Sequence, residues 1–353
     1  MNEGFIELFK KLTDPASQPM YKPHKESTMS PKILVTGANG FIGSAMVWEL
    51  NQSDITDIIC VDSVILSHRK EPLRKRKYTS FLHKDELWNF LNSDEAQSIS
   101  WVIHMGACSS TTEKNWSFLY ENNTLYTQRL FQWCTQNKKN LIYASSAATY
   151  GGGELGFDDE TPSEILKPLN LYGDSKVLFD RWVVEQKTTP PSWYGLKFFN
   201  VYGPNEYHKE SMASVVFKAF GQVKTQNSLG LFKSYNSLYR DGEQKRDFIY
   251  VKDVTRWMLE LMKKTPKNGI YNMGFGSART WKDLAQSVFS NLNKPMLINW
   301  LEVPDNIKDQ YQYFTEAKMK KWNSESLSAP QWPIEKGIQD YISNYLLKND
   351  PWL

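Results

Sequence analysis

Lys32-Ile-Leu-Val-Thr36, running into Gly37-Ala-Asn-Gly40-Phe-Ile-Gly43, is the stretch on which the fold turns. Five residues rich in aliphatic and β-branched side chains read as a short buried strand. Three glycines spaced three apart follow, and a helix is expected from about Ser44 to Asn51. A second apolar run, Asp57 to Val61, ends in Asp62, 19 residues after Gly43. Strand, glycine turn, helix, strand and terminal acid are the order of a dinucleotide-binding unit. Gly37 permits the tight turn, Gly40 lets backbone approach a pyrophosphate, and Gly43 lets helix and strand pack closely. The helix N-terminus offers unpartnered N–H groups to phosphates. A lone glycine triad is weak evidence, but the flanking strands and the acid make this one strong.

Outward from this unit the pattern repeats. Trp101 to His104, Leu141 to Ala144 and Tyr194 to Phe199 read as further strands, with a helix from about Trp116 to Asn137. The alternation implies an α/β fold: a doubly wound parallel sheet of the Rossmann kind. Beyond Pro204 the pattern loosens into charged loops and aromatic runs, which reads as a smaller C-terminal substrate-binding lobe. The expected division is 32–204 for the dinucleotide-binding domain, with 245–262 returning to it, and 205–244 plus 263–353 for the lobe. Residues 1–31 read as an extension: Phe5, Ile6, Leu8, Phe9 and Leu12 could line a helix face, and a linker follows. The alternative is that translation starts at Met29.

The 353 residues suffice for a large core. A net charge of +3 is nearly balanced, which argues against nucleic acid as a partner. The run Arg69, Lys70, Arg74, Lys75, Arg76, Lys77 is either a local phosphate site or a solvated loop. Three cysteines, Cys60, Cys108 and Cys134, have no metal-ligand spacing, so no metal is expected, and a reducing cytoplasm fits them. No run of 18 apolar residues exists, so no membrane span is expected.

The chemistry is carried by Tyr172-Gly-Asp-Ser-Lys176, which follows Tyr143-Ala-Ser-Ser146. Residues four apart share a helix face, so Lys176 can sit beside the Tyr172 phenol. A phenol with pKa ~10 is a poor base at neutral pH, and a neighbouring cation favours its ionised form. Ser145 and Ser146 stand at the end of the strand that carries them. His104 ends a strand and reads as a satisfied core histidine. Cys108 has no base nearby in sequence and does not read as a nucleophile. Trp322, Trp332, Tyr341 and Tyr345 read as C-terminal core.

Gly37-x-x-Gly-x-x-Gly43, Tyr143-Ala-Ser-Ser146, Tyr172-x-x-x-Lys176 and Phe199-Asn-Val-Tyr-Gly-Pro204 resemble the extended short-chain dehydrogenase/reductase family, which includes nucleotide-sugar epimerases and dehydratases. Three stretches narrow the resemblance: His104-Met-Gly-Ala-Cys-Ser-Ser-Thr-Thr-Glu113, His208-Lys-Glu-Ser-Met-Ala-Ser214 and Lys245-Arg-Asp-Phe-Ile-Tyr-Val251. Asp309-Gln-Tyr-Gln-Tyr-Phe-Thr315 also fits. They are similar to the branch that inverts carbon 6 of an ADP-linked heptose for lipopolysaccharide core, and the likeness covers about 32–350.

The resemblance implies a role for each matching residue. Gly37, Gly40, Gly43, Phe41 and Ile42 would hold the cofactor pyrophosphate. Asp62 and Ser63 would contact the adenosine ribose, with Arg69 and Lys84 nearby. Met105, Gly106, Ala107, Cys108, Ser109, Asn122 and Val201 would line the nicotinamide side. Ser146, Tyr172 and Lys176 form the catalytic group. Lys209 would be a second acid/base facing Tyr172, in reach of the cofactor. Asn200, Ser211, Lys218, Phe232, Lys233, Ser234, Tyr235, Arg246 and Tyr311 would hold the ADP-sugar. The family's way of working is transient oxidation to a 6-ketone and hydride return to either face. Its members imply one tightly bound NADP per subunit and a homo-oligomer, a pentamer.

The sequence departs from the branch at several points. Ser63 replaces the usual asparagine, Met105 stands where an acid is common, and Lys218 stands where some members have histidine. The stretch 234–244 is longer than in the shorter members. Asp62 alone suggests NAD, because a carboxylate pairs with the ribose 2′-hydroxyl. Arg69 and the basic run behind it favour NADP. Arg246 reads either as an ion pair with Asp247 or as a phosphate contact, and Lys209 either as an acid/base or as a surface lysine. A 4,6-dehydratase would place an acid pair after the serine, where Ala147, Ala148 and Thr149 stand. A non-catalytic dinucleotide-binding regulator would not need Ser146, Tyr172 and Lys176 intact.

Overall fold

The computed structural model describes residues 31–304 and 311–353. The helix expected near Phe5 to Leu12 lies outside them. Seven parallel strands form the main sheet: β1 (Lys32–Thr36), β2 (Ile58–Asp62), β3 (Ser80–His83), β4 (Ile99–His104), β5 (Asn140–Ser146), β6 (Trp193–Phe198) and, far along the chain, Gly269–Met273. That last strand is β11, because four short strands intervene: β7 (Asn200–Tyr202), β8 (Leu229–Phe232), β9 (Lys245–Arg246) and β10 (Phe248–Tyr250). The order β11-β6-β5-β4-β1-β2-β3 puts β1 between β4 and β2, where the winding reverses. The crevice for ligands in such sheets opens at this reversal, at the strands' C-terminal ends.

The expected doubly wound sheet is present, and alternation along β1 shows why it forms. Ile33 and Val35 enter one core layer, with Met46, Leu50, Trp257 and Met258. Leu34 points to the opposite layer, with Leu130, Phe131, Phe179 and Val183. Successive strand residues face opposite sides, so a continuous apolar run fits only a sheet covered on both faces. The covering helices include α1 (Phe41–Gln52), α2 (Tyr126–Gln136), α3 (Leu171–Val184) and, after α4 (Val215–Gln226), α5 (Val251–Lys264).

Two details differ from the sequence reading. Helix α1 begins at Phe41, so Gly43 lies in its first turn. Gly269–Met273, assigned above to the smaller lobe, is the sheet's edge strand and pairs with β6. Its buried Asn272 hides the apolar signature. The amide is fully engaged: Tyr150 Oη donates to Oδ1 at 2.7 Å, and Nδ2 donates to the carbonyls of Phe157 and Lys318.

A second core gathers α4, β8, α6 (Trp281–Asn291) and α7 (Ile334–Tyr341), with Val216, Phe220, Val288, Phe289, Ile338 and Tyr341 at its centre. Trp332 and Tyr345 pack on it as expected. Trp322 instead joins the main core, its ring 4.4 Å from that of Trp257.

Candidate active site

A cleft of about 1160 Å³ opens at the C-terminal ends of the central strands. Several elements send predicted residues into it. The glycine turn supplies Gly37, Gly40, Phe41, Ile42 and Gly43, and the end of β2 supplies Asp62 and Ser63. Arg69 and Lys84 follow, then Met105 to Ser109 beyond β4, with Asn122. Ser146 comes from the end of β5, Tyr172 and Lys176 from α3, Asn200 and Val201 from β7. Lys209, Arg246 and Tyr311 complete the wall.

The turn is shaped for a dinucleotide. Gly37 sits at φ +65°, and a Cβ there would stand 2.6 Å from Gly106 N. A Cβ on Gly43 would stand 2.0 Å from Gly37 O, so helix and turn touch main chain to main chain. Gly40 caps α1 without a side-chain hydrogen bond, and no acid stands in the first turn. The leading N–H groups of α1 are therefore open to an anion in the cleft. At the far end Asp62 is buried, its two oxygens accepting from Val64 N and Asn39 N at 2.9 Å each. Arg69 Nη2 donates to Asn39 O, and its buried Nε has no partner. Lys84 Nζ donates to Asn122 Oδ1 at 3.1 Å. These residues fit a nicotinamide dinucleotide.

Ser146 and Tyr172 both line the cleft, and Ser146 Oγ accepts from Ala148 N at 3.1 Å. Asn170 caps α3, its Oδ1 accepting from Gly173 N at 2.8 Å, which fixes the first turn bearing Tyr172. Lys176 lines the same cleft from α3. Its buried ammonium donates to Ala144 O at 2.9 Å. Burial raises the Tyr172 phenol above the usual value, and the Ser146 side chain opposes this. Spacing along the helix gave proximity but not burial. Lys176 itself is pulled to about 8 by burial, with Asp180 opposing.

Lys209 lies on the irregular turn Tyr207–Met212, half-buried, with Nζ 3.5 Å from Ser109 Oγ and 5.8 Å from the Phe41 ring centroid. Burial lowers its pKa, and Glu206 opposes this. Arg246 does not pair with Asp247. Asp247 instead accepts from the amides of Phe275, Gly276 and Ala317, and burial pushes it up to about 6. The Arg246 guanidinium lies 5.5 Å from the rings of Tyr311 and Trp281 and donates to Gln312 O.

Six residues called for substrate do not line the cleft. Lys218 Nζ donates to Ser211 O. Lys233 pairs with Glu302 at 2.6 Å, Ser234 N donates to Asp241 Oδ1, and Tyr235 N to Tyr313 Oη. Phe232 reaches the cleft wall only through Tyr311, edge to face at 6.1 Å. Sequence reasoning missed Thr36, Asn170, His208, Gln312 and Thr315, all of which line it. Asn170 carried a signal as a cap residue three before Gly173, and His208, Gln312 and Thr315 stand in the stretches that carried the resemblance. Asn123 was missed too: it accepts from Cys108 N and donates to Cys108 O and Ser175 Oγ, tying the β4 loop to α3.

His104 is a core residue, between Thr36 Oγ1 at 2.6 Å and Thr127 Oγ1 at 3.0 Å, its pKa pulled to about 3 by burial. Beyond Arg69 no residue of the basic run lines the cleft. Arg74 pairs with Asp350 at 2.8 Å, Lys75 Nζ donates to Trp352 O, and Arg76 Nη2 to Leu353 O. Among the described residues no metal-binding cluster occurs, and no helix is long and apolar enough to cross a membrane.

A glycine turn and a helix N-terminus that share one cleft with a serine and a tyrosine define the class: an enzyme working with a nicotinamide cofactor. The model of the NAD dependent epimerase/dehydratase family matches residues 33–274, and the chain belongs to that family. It is 47% identical over 331 residues to an ADP-L-glycero-D-manno-heptose-6-epimerase of Fusobacterium nucleatum, covering 91% of this chain and 100% of that one. A protein of the same name from Nitratidesulfovibrio vulgaris is 44% identical over 322 residues, covering 91% and 99%. Among solved structures, the Helicobacter pylori ADP-L-glycero-D-manno-heptose-6-epimerase superposes with a TM-score of 0.75 at 24% identity, over 89% of this chain and 96% of that one. Thermus thermophilus UDP-glucose 4-epimerase in complex with NAD gives 0.70 at 22%, over 87% and 96%. The last two speak for the fold.

Proposed function

We propose that this enzyme interconverts ADP-D-glycero-D-manno-heptose and ADP-L-glycero-D-manno-heptose by inverting carbon 6. The observation that carries the reading is one cleft lined by the dinucleotide cradle, Tyr172 and Lys209. The relatives' names supply the sugar.

Carbon 6 bears a hydroxyl and an unactivated hydrogen, so direct proton removal is not feasible, whereas oxidation to a planar 6-ketone erases the configuration. A bound nicotinamide dinucleotide would supply the hydride acceptor and donor. Either Tyr172 or Lys209 takes the hydroxyl proton, and Ser146 hydrogen-bonds the developing alkoxide. If the ketone presents its other face, the second group protonates the new alkoxide. Two faces need two proton carriers. Burial raises the phenol of Tyr172 and lowers the ammonium of Lys209, so the phenol holds its proton more tightly and the ammonium gives its proton up more easily. Arg246, turned from Asp247 toward the cleft, suits an ADP phosphate. Ala147, Ala148 and Thr149 after Ser146 offer no acid for elimination, which disfavours a dehydratase.

The cofactor in this reading is NADP, one tightly bound per subunit, since Asp62 already holds two amides while Arg69 has an unpartnered Nε. The reading includes a cytoplasmic homo-oligomer, a pentamer, serving lipopolysaccharide core synthesis. Incubation with ADP-D-glycero-D-manno-heptose, with C6 configuration read by NMR, tests the reaction. No change of configuration refutes it. Mass analysis of nucleotide released on denaturation tests the cofactor, and NAD alone would overturn NADP.

A further inference from the structure

Lys209 needs a fixed position, yet its own segment gives little support. Tyr207–Met212 is a short irregular turn, and Glu210 within it sits at φ +48°, ψ −118°. A non-glycine residue in that region is strained and persists only when its surroundings hold it. One brace is internal: the buried Glu206 carboxylate accepts from Gly203 N at 3.1 Å and Ser214 Oγ at 2.8 Å. The others come from residues 350–353. Tyr207 Oη donates to Pro351 O at 2.6 Å, and the Trp352 ring meets the Tyr207 ring at right angles, 4.8 Å between centroids. Leu353 N donates to Oδ1 of the buried Asn205, whose Nδ2 donates to Ser44 Oγ in α1. The buried Leu353 side chain packs with Phe41 and Ala45, and Phe41 is the ring facing the Lys209 ammonium. The strap is itself tied down by Arg74, Lys75 and Arg76, so the basic run has an occupant more than 270 residues away.

We propose that residues 350–353 are a positioning strap for Lys209, locking its turn to the N-terminal end of α1. The proposal rests on Lys209 being the second acid/base. The strap touches no predicted substrate or catalytic group directly and acts through Tyr207, Asn205 and Phe41. Loosening it displaces Lys209 by a fraction of the turn's width, and misplacement of about 1 Å costs on the order of 10²-fold in rate. Turnover therefore falls while KM changes little, because sugar-phosphate contacts such as Arg246 lie elsewhere.

A double-mutant cycle tests it on the full-length chain with its bound nucleotide, using ADP-D-glycero-D-manno-heptose. Trp352→Ala is expected to lower kcat about tenfold or more, with KM within about twofold, and Trp352→Phe to restore most of it. Lys209→Met alone is expected to lower kcat about 10²-fold. The double variant Trp352→Ala with Lys209→Met should be no slower than Lys209→Met, because the strap then has nothing left to position. Multiplying losses would make the strap a general stabiliser and overturn the proposal while the reaction stands. Normal kcat in Trp352→Ala beside a crippled Lys209→Met would also overturn the strap alone. Normal kcat in Lys209→Met would remove both the strap's purpose and the two-carrier reading. Should Trp352→Ala fail to fold, Tyr207→Phe, which deletes only the hydroxyl bonded to Pro351, replaces it in the cycle, and an unchanged kcat there overturns the proposal.

Discussion

Gly43→Ala adds one methyl group where the glycine turn and α1 meet. That carbon would stand 2.0 Å from Gly37 O, 2.7 Å from Gly37 C and 3.1 Å from Ala38 Cα, where ordinary contact begins at 3.4 Å. The shortfall at Gly37 O is thus about 1.4 Å. All three neighbours are main chain, so no rotamer change relieves it, and the turn and the helix must part. Overpacking of this kind costs about 1–3 kcal/mol of stability. The same movement pulls the N–H groups of α1 from the pyrophosphate. A hydrogen bond to a charged group is worth about 1.5–3 kcal/mol, so losing one weakens nucleotide binding roughly 10- to 150-fold. The variant should purify largely without nucleotide and melt several degrees lower. Nucleotide released on denaturation, titration calorimetry of added cofactor and a melting curve measure these effects. Nucleotide content and melting temperature equal to those of the unmodified protein would refute the steric argument.

Tyr172→Phe keeps the ring and removes the proton carrier, so epimerase turnover should fall by ~10²-fold or more with cofactor still bound; near-normal turnover contradicts the assigned role. Gly221→Ala in α4 meets nothing within 4 Å and lies exposed in mid-helix, so it should stabilise by about 0.5–1 kcal/mol; a lower melting temperature would show the site is not free. Buried Asp159 is raised by burial to about 6, with Oδ2 accepting from Asn272 N and Oδ1 unpartnered. Its folded value exceeds its unfolded one, so its contribution is complete below about pH 4 and is lost as pH rises through 6, up to about 3 kcal/mol. Asp159→Asn removes that loss, and its melting-temperature gain should be larger at pH 8 than at pH 4; equal gains at both would contradict the assignment.

What the chain revealed in advance was local. The glycine turn, Asp62, Ser146 and Tyr172 each declare themselves within a few residues, because a tight turn, a strand end or a helix face is written in short spacings. The misses are long-range. No spacing shows that Lys176 spends its ammonium on Ala144 O, since that depends on how α3 settles on β5. Arg74, Lys75 and Arg76 read as phosphate site or solvated loop because their partners lie at the other end of the sequence. Strand β11 escaped notice because Asn272 interrupts it, and its partners come from three separate segments. The substrate calls from Phe232 to Tyr235 came from resemblance, at and just before a stretch of unusual length, and none of the four lines the cleft.

The place of β11 bears on how the chain is made. Strand β6 ends at Phe198, and the neighbour that completes it begins only at Gly269. During synthesis, Tyr194 and Leu196, both fully buried in the finished protein, border an unpaired strand edge until residue 273 has cleared the ribosome. At 5–20 residues per second that window lasts roughly 4–15 s. An open edge beside large apolar side chains is a template for pairing with another chain. The yield of folded enzyme should therefore respond to pauses in translation between codons 198 and 273 far more than to pauses after them.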